Sequence, residues 1–457
     1  MTTSTAEHGP VEPGPIEPGA VAAAPTGRLA RLRTAPIWAA ATIRDFRLLW
    51  ASEGISVLGD QFHAVAMSWL IITLTGSGVA VATVLIAVSV PRALLLAPMG
   101  VVADRRSQRS LMLFAHLARA AVVAAIAVLV ASGNASIPAL AALGFLFGAA
   151  DAVYMPSQQA FVPRAVGSER LPSANALMQG TLQLISIVGP PVAGLVVAAA
   201  GTAIAFGVDA ASFVLAAGLI ALITTTRVRP STAASPTKSA DGAASESFLA
   251  SLRAGLRYTL DDHGIAAMLA VSLVVNFALN GPAAVGMAWL AELRYHAGAT
   301  GLGLMAAGFS VGGLAGAVIA GNARLARMGR LLLVAIAVAG LATAGVGLAG
   351  SLWPAVVLFG VAGLMIGFVN VVAISWLQAR VETAMLGRVM SLAMLVGFGV
   401  SPLSMAVAGG LIDLNATMLF VGAGALVVVT AVAALALGTA ELFDSAKPSA
   451  HGSIPSA

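Results

Sequence analysis

Cysteine is absent from the 457 residues, which excludes disulfides, thiolate nucleophiles and sulfur-ligated metal sites, and leaves the redox compartment unreadable. Charge is nearly as scarce: Asp, Glu, Lys and Arg make up 9% of the chain, against roughly 25% in a soluble domain. With hydrophobic residues at 59%, too little polar surface remains to cover a water-soluble globule. Lysine is reduced to Lys238 and Lys447. Neither follows the glycine pattern of G-x-x-x-x-G-K-[ST], so no phosphate-cradling ATPase loop is encoded. No catalytic residue, metal or cofactor is expected.

What is present is apolar and periodic. Twelve stretches can each cross a hydrocarbon core of about 30 Å, which needs about 20 helical residues: 47–74, 79–101, 110–131, 137–161, 174–199, 202–223, 265–290, 301–322, 331–349, 354–378, 389–411 and 417–439. The expected fold is an all-α membrane protein, twelve transmembrane helices in two six-helix halves. The formal charge of +5 and a pI near 10.4 would suggest nucleic acid in a soluble protein, but the placement of the basic residues argues for a lipid bilayer and no nucleic acid. They gather in alternate connections, from Arg44 and Arg47 through Arg105, Arg106 and Arg109 to Arg380 and Arg388, whereas the opposite turns hold only Arg294. This repeats the positive-inside rule at each crossing and predicts an even number of spans with both termini cytoplasmic.

Domain boundaries follow. Residues 1–46 read as a disordered cytoplasmic tail, since no apolar run precedes a cleavage site, and 47–223 as the first half. Residues 224–264 form a linker: Thr224–Ser245 is rich in Ser, Ala and Pro, whereas Ser247–Asp262 sets Phe248, Leu252, Leu256 and Leu260 on one face beside Arg253 and Arg257. That face predicts an amphipathic helix, either lying on the inner leaflet or packed on the bundle. The second half covers 265–441 and a polar cytoplasmic tail 442–457. Gly100 and Gly321 close corresponding spans before Arg-rich turns, a degenerate internal repeat of the kind found in alternating-access transporters.

Charges inside spans are informative because one at the centre of a bilayer costs about 2.5–3.5 kcal/mol and should be paired or line a wet cavity. Asp60 and Arg119 both fall near the midplane and could pair; as a functional couple they would let substrate or water entry switch protonation, and as a bland one they would only fix two helices. His63, one turn after Asp60, is either a proton relay or a packed neutral histidine. Arg92 and Asp151 sit in the inner halves of the second and fourth spans, and Asp209 in the outer half of the sixth. Polar points at Gln61, Asn276, Asn280, Asn370 and Gln378, with Trp69, are candidates for a substrate cavity whose wall is otherwise apolar. Such a wall suits a small amphipathic solute better than a sugar.

The turn Gly100-Val-Val-Ala-Asp104-Arg105-Arg-Ser-Gln-Arg109 resembles the G-x-x-x-D-R-x-G-R-[KR] turn of the major facilitator superfamily, with Ser107 and Gln108 as departures. Gly189-Pro190-Pro-Val-Ala-Gly194 is similar to the G-P-x-x-G-G bend of that superfamily's drug and proton antiporters. Leu58-Gly-Asp60, Leu74-Thr-Gly-Ser77 and Ser173-Ala-Asn175 resemble the branch of enterobactin exporters and macrolide-efflux proteins. The resemblance implies a latch in which Asp104 bonds Arg388, flanked by Gly100, Arg105 and Arg109, with Asp151 as a latch member or a proton site. It implies a packing or gating bend at Gly189, Pro190 and Gly194. It further implies a monomeric, proton-coupled exporter of drug- or siderophore-like compounds in a bacterial cytoplasmic membrane. A facilitator or importer, or a transport-inactive sensor, is the alternative. An intramembrane aspartyl protease built on Asp60 and Asp151 would leave the twofold organisation unexplained.

Overall fold

In lipid, every backbone polar group must find its partner within the chain, so apolar runs of this length become helices. The computed structural model describes residues 38–224, 248–322 and 328–444; the tail before residue 38, Arg227, Arg229, Lys238, Arg324, Arg327 and Lys447 lie outside them. Among the described residues no strand occurs. The first half comprises α1 (Arg44–Thr75), α2 (Gly78–Arg105), α3 (Gln108–Ala131), α4 (Ile137–Val166), α5 (Leu171–Ala200) and α6 (Thr202–Ala221). After α7 (Phe248–Asp261) come α8 (His263–Arg294), α9 (Gly298–Asn322), α10 (Met328–Leu348), α11 (Leu352–Arg380), α12 (Thr383–Gly399), α13 (Ser401–Ala436) and a short α14 (Thr439–Asp444).

The apolar run Met385–Ala436 holds 52 residues, about 78 Å of helix at 1.5 Å per residue, too long for one crossing. It reverses at Asn415, whose φ of −163° and ψ of 108° are not helical, and so supplies the eleventh and twelfth crossings. Leucines such as Leu94 and Leu414, 71% and 81% exposed, face outward, as expected of side chains that meet lipid.

Packing repeats between the halves. In the first, α1 packs on α5 and α6, α2 on α4, and α3 on α4 and α6; in the second, α8 packs on α13, α9 on α11, and α10 on α11 and α13. Glycine explains the closest pairs, because without side chains helix backbones can touch. A Cβ at Gly312 would meet the carbonyl of Gly360, one at Gly316 that of Leu364, and one at Gly363 that of Phe309. The counterpart in the first half is Gly148 against the carbonyl of Val88.

Of the two arrangements expected for the 247–262 segment, the structure shows packing on the bundle. One face of α7 packs on α12, with Gly255 against Arg388 and Leu392, and Thr259 is buried. Leu256 and Leu260 remain exposed. At its end Asp262 caps α8, accepting from the amides of Gly264 at 2.8 Å and Ile265 at 3.2 Å. The same carboxylate takes Nε and Nη2 of Arg380 at 2.8 and 3.0 Å, tying α8 to the end of α11. Burial opposes the charged form of Asp262, but the bonds from Arg380 and the two amides outweigh it and hold the carboxyl below its ordinary value.

Candidate functional site

The buried charge of the membrane region is concentrated in the first half. Arg119, on α3 and 2% exposed, donates from Nη1 to Asp151 Oδ1 on α4 at 3.1 Å and lies 3.1 Å through Nη2 from Nδ1 of His116. Its guanidinium sits over the rings of Tyr154 and Phe213 at 4.7 and 4.4 Å, a setting that favours a cation. Asp151 Oδ2 also meets Nε of Arg92 at 3.0 Å, so one carboxylate bridges α2, α3 and α4. Beside it the hydroxyl of Tyr154 donates to Glu53 on α1.

The proposed pairing of Asp60 with Arg119 is not formed. Helix α1, which carries Asp60, packs on α5 and α6, whereas α3 presents Arg119 to α4, so the guanidinium is taken by Asp151. Asp60 is half-buried and has no hydrogen bond or ion pair among the described residues. The charges acting on it are those of Arg119, Asp209, Asp151 and Glu53. His63 does not reach Asp60 either: its Nδ1 lies 3.1 Å from Oδ2 of Asp209 on α6, and its ring stacks on Phe147 at 4.6 Å. Asp209 is fully buried, and its Oδ1, like Nε of Arg119, has no hydrogen-bond partner.

Glu53, His116 and Tyr154 escaped the sequence reading, yet the signal was available. Glu53 precedes Asp60 by seven residues, His116 precedes Arg119 by three and Tyr154 follows Asp151 by three, spacings that put each pair on one helix face.

At the arginine-rich turn the side chain of Asp104 lies outside what the structure describes. Arg105 is exposed at the end of α2, and a Cβ at Gly100 would meet open space. Arg109 donates to the carbonyls of Ile220 and Ala221 at 3.2 and 2.5 Å, capping α6. Gln108, the departure from the motif, caps α2 through Ala103 O at 2.8 Å. Arg388 stands 3.9 Å from the sulfur of Met385 and against Gly255 of α7. Asp151 is held within its own half by Arg92 and Arg119.

The two halves meet along α5 with α9 and α2 with α13, tightly at the end away from the arginine-rich turns. Gly194 abuts Ala299 and Thr300, and Gly303 abuts Pro190, so the α5 bend forms part of this seam; Gly189 packs on Gln61 of α1. Asp413, from the second half, accepts from Ser77 Oγ at 2.7 Å and from the amides of Gly78 and Val79 at 2.6 and 3.1 Å. It thereby caps the N-terminus of α2 across the seam, where unpaired amides favour an anion. At the same end Arg294 is bound within its half, to Gly347 O at 2.9 Å and Thr417 Oγ1 at 3.2 Å.

Of the polar candidates for solute contact, Asn276, Asn280 and Asn370 line one cavity of about 340 Å³ in the second half. Gln378 is exposed near the end of α11, and Trp69 packs against an apolar cluster to which both halves contribute.

A family model described as a transmembrane secretion effector matches residues 35–455. An uncharacterized MFS-type transporter of Sinorhizobium fredii is 28% identical over 317 residues, 67% of this chain and 73% of that protein. The multidrug efflux pump Tap of Mycolicibacterium fortuitum is 27% identical over 375 residues, covering 79% and 88%. Among solved structures, a bacterial homologue of the iron transporter ferroportin in an inward-facing state aligns with a TM-score of 0.66 at 17% identity, over 88% of this chain and 99% of that one. A POT family transporter bound to 5-aminolevulinic acid aligns with a TM-score of 0.69 at 11% identity, over 88% and 97%. These two likenesses concern the fold alone.

Proposed function

The chain belongs to the transmembrane secretion effector family of major facilitator superfamily transporters, a multi-pass membrane protein that moves small molecules and is no enzyme, and from that premise we propose that it exports small amphipathic compounds in exchange for protons. The observation that carries this reading is the charge balance around Asp60. Among the described residues, Glu53, Asp60, Asp151 and Asp209 lie near two permanent cations, Arg92 and Arg119. In a low-dielectric interior the remaining negative charge must be neutralised. Protons are the small cations that can supply that neutrality.

Asp60 is the exchanging group, because it is half-buried and unpaired while Asp151 is bound by both arginines. Arg119 limits how long the proton stays, and entry of water beside Asp60 as the halves rearrange would favour its departure. Moving one proton down 100 mV releases about 2.3 kcal/mol, enough for roughly a fiftyfold gradient of an uncharged solute. Export draws support from the likeness to Tap and from the apolar walls of the second half. The arginine-rich end is assigned to the cytoplasm by the positive-inside rule. With the seam closed at the far end, the described conformation is then inward-facing, in a monomer of the bacterial cytoplasmic membrane.

The experiment is solute flux into inverted vesicles under an imposed pH gradient, with wild type and Asp60→Asn at equal protein levels. The expected outcome is gradient-driven accumulation in wild type and none in the variant. Undiminished accumulation by Asp60→Asn would sink the reading.

A further inference from the structure

The two halves are built alike, yet one space between their helices is filled in the first and hollow in the second. In the first half the region enclosed by α1, α2, α3, α4 and α6 holds Glu53, Arg92, Arg119, Asp151, Tyr154 and Phe213. The corresponding helices of the second half, α8 to α11 and the last part of α13, enclose instead the cavity of about 340 Å³. Register explains the difference. At the same distance from their helix starts, Glu53 is matched by Ser272, Asp151 by Ile366 and Tyr154 by Val369, all three of which line the cavity. Each replacement is smaller or uncharged, so the exchange removes both volume and charge from the same place.

What remains has a definite chemistry. Its wall is largely apolar, with Phe309, Phe359 and Phe420 among the lining residues, and no charged side chain is among the described residues that line it. The polar points are amides. Asn276 donates to the carbonyl of Ser272 at 2.8 Å and Asn280 donates to Oδ1 of Asn276 at 3.4 Å. This short ladder ends on Oδ1 of Asn280. Asn370 makes no hydrogen bond among the described residues. A cavity of this size lies at the small end of ligand pockets, which combine apolar walls with a few convergent polar groups in this way. A charged guest would find no counter-ion on that wall, a penalty wherever it leaves water.

We infer that this chamber inside the second half is a binding site for an uncharged, largely apolar solute bearing a hydroxyl or carbonyl group, held by Asn280 and Asn370. The first half thus handles protons and the second the solute, in two chambers built on the same scaffold. The inference rests on the reading of the chain as an exporter, and it deepens that reading by naming the class of cargo.

Binding needs no gradient, which lets the two ideas be tested apart. Purified protein in nanodiscs is titrated with tritiated progesterone, an uncharged apolar ketone, by scintillation proximity. Wild type should bind it saturably at one molecule per chain. Val369→Phe, which puts a ring where the first half has Tyr154, and Asn280→Leu, which removes the amide, should each weaken binding at least tenfold. The lipid-facing control Val128→Phe should leave it unchanged, and a monodisperse elution profile shows that each variant is folded. No saturable binding to wild type, or binding that folded Val369→Phe leaves intact, overturns the inference. Loss of gradient dependence in flux measurements with intact binding would overturn proton coupling instead.

Discussion

Removing the Asp413 carboxylate should unlock the end of the seam that the structure holds shut. The group accepts from one hydroxyl and two amides at the start of α2, all across the interface between halves. A hydrogen bond to a charged group contributes about 1.5–3 kcal/mol where water is excluded, and a charge at a helix N-terminus about 0.3–1 kcal/mol. Asp413 is exposed, so water replaces much of what is lost, and a net change of about 2 kcal/mol is expected for Asp413→Ala. Since 1.4 kcal/mol is tenfold, the ratio of closed to open forms at this end should fall roughly thirtyfold. Asp413→Asn keeps an acceptor without the charge and should fall roughly fivefold, about 1 kcal/mol. The lack of native cysteine makes the assay clean: spin labels at Asn134→Cys and Ser351→Cys, both exposed beyond the seam, report their separation in nanodiscs by pulsed electron resonance. The longer distance should gain population in the order wild type, Asp413→Asn, Asp413→Ala. An unchanged distribution in Asp413→Ala would refute the claim that this cap closes the seam.

Arg119→Ala should leave Asp151 dependent on Arg92 alone and strand Tyr154 and Phe213 around a void; a loss of about 3–5 kcal/mol in stability would appear as reduced thermal stability in detergent, with Arg119→Lys intermediate. Gly363→Leu would force α9 off α11 at the Phe309 carbonyl, and overpacking of about 1–3 kcal/mol or more should lower the unfolding temperature or the yield of inserted protein. The depressed carboxyl of Asp262 gives its contact with Arg380 a defined pH sense: the stabilisation is fully present above the ordinary value of 3.8 and is lost as pH falls through the lower folded value. Asp262→Asn should therefore be less heat-stable than wild type at pH 7, with the gap closing toward acid; a gap independent of pH would argue against the charged pair. Asp104→Asn should slow export if the resemblance-based latch operates, measured as vesicle flux at matched expression.

The helices were legible because lipid imposes one simple rule on apolar length, and the same rule located the reversal at Asn415 between two predicted spans. The two π-helical turns within a span were not: Pro282–Gly286 and Leu290–Arg294 interrupt the α-helix of α8 without a break in its hydropathy. Among site residues, depth in the membrane could be counted from the helix start, which is why Asp60, Arg119 and Asp151 stood out. Azimuth could not, since it depends on which helices become neighbours, and so Arg119 was matched to the wrong acid. Glu53 was passed over because an acid ten residues into a helix resembles an interfacial group until its helix face is compared with that of Asp60. The empty chamber of the second half was invisible to the sequence because a cavity is a relation between four or five helices; only the amides on its wall were readable.

The glycines of the seam have a kinetic consequence. Where Gly194 meets Ala299, Gly303 meets Pro190 and Gly409 meets Gly78, backbone of one half lies directly on backbone of the other, with the Ile412 side chain seated on Gly78. Flat backbone contacts of this kind can part or glide with few side chains having to withdraw, and domain motions run on microseconds to milliseconds. The small residues placed there by the sequence leave the polar catch at Asp413 as the directional contact that must break when this end opens.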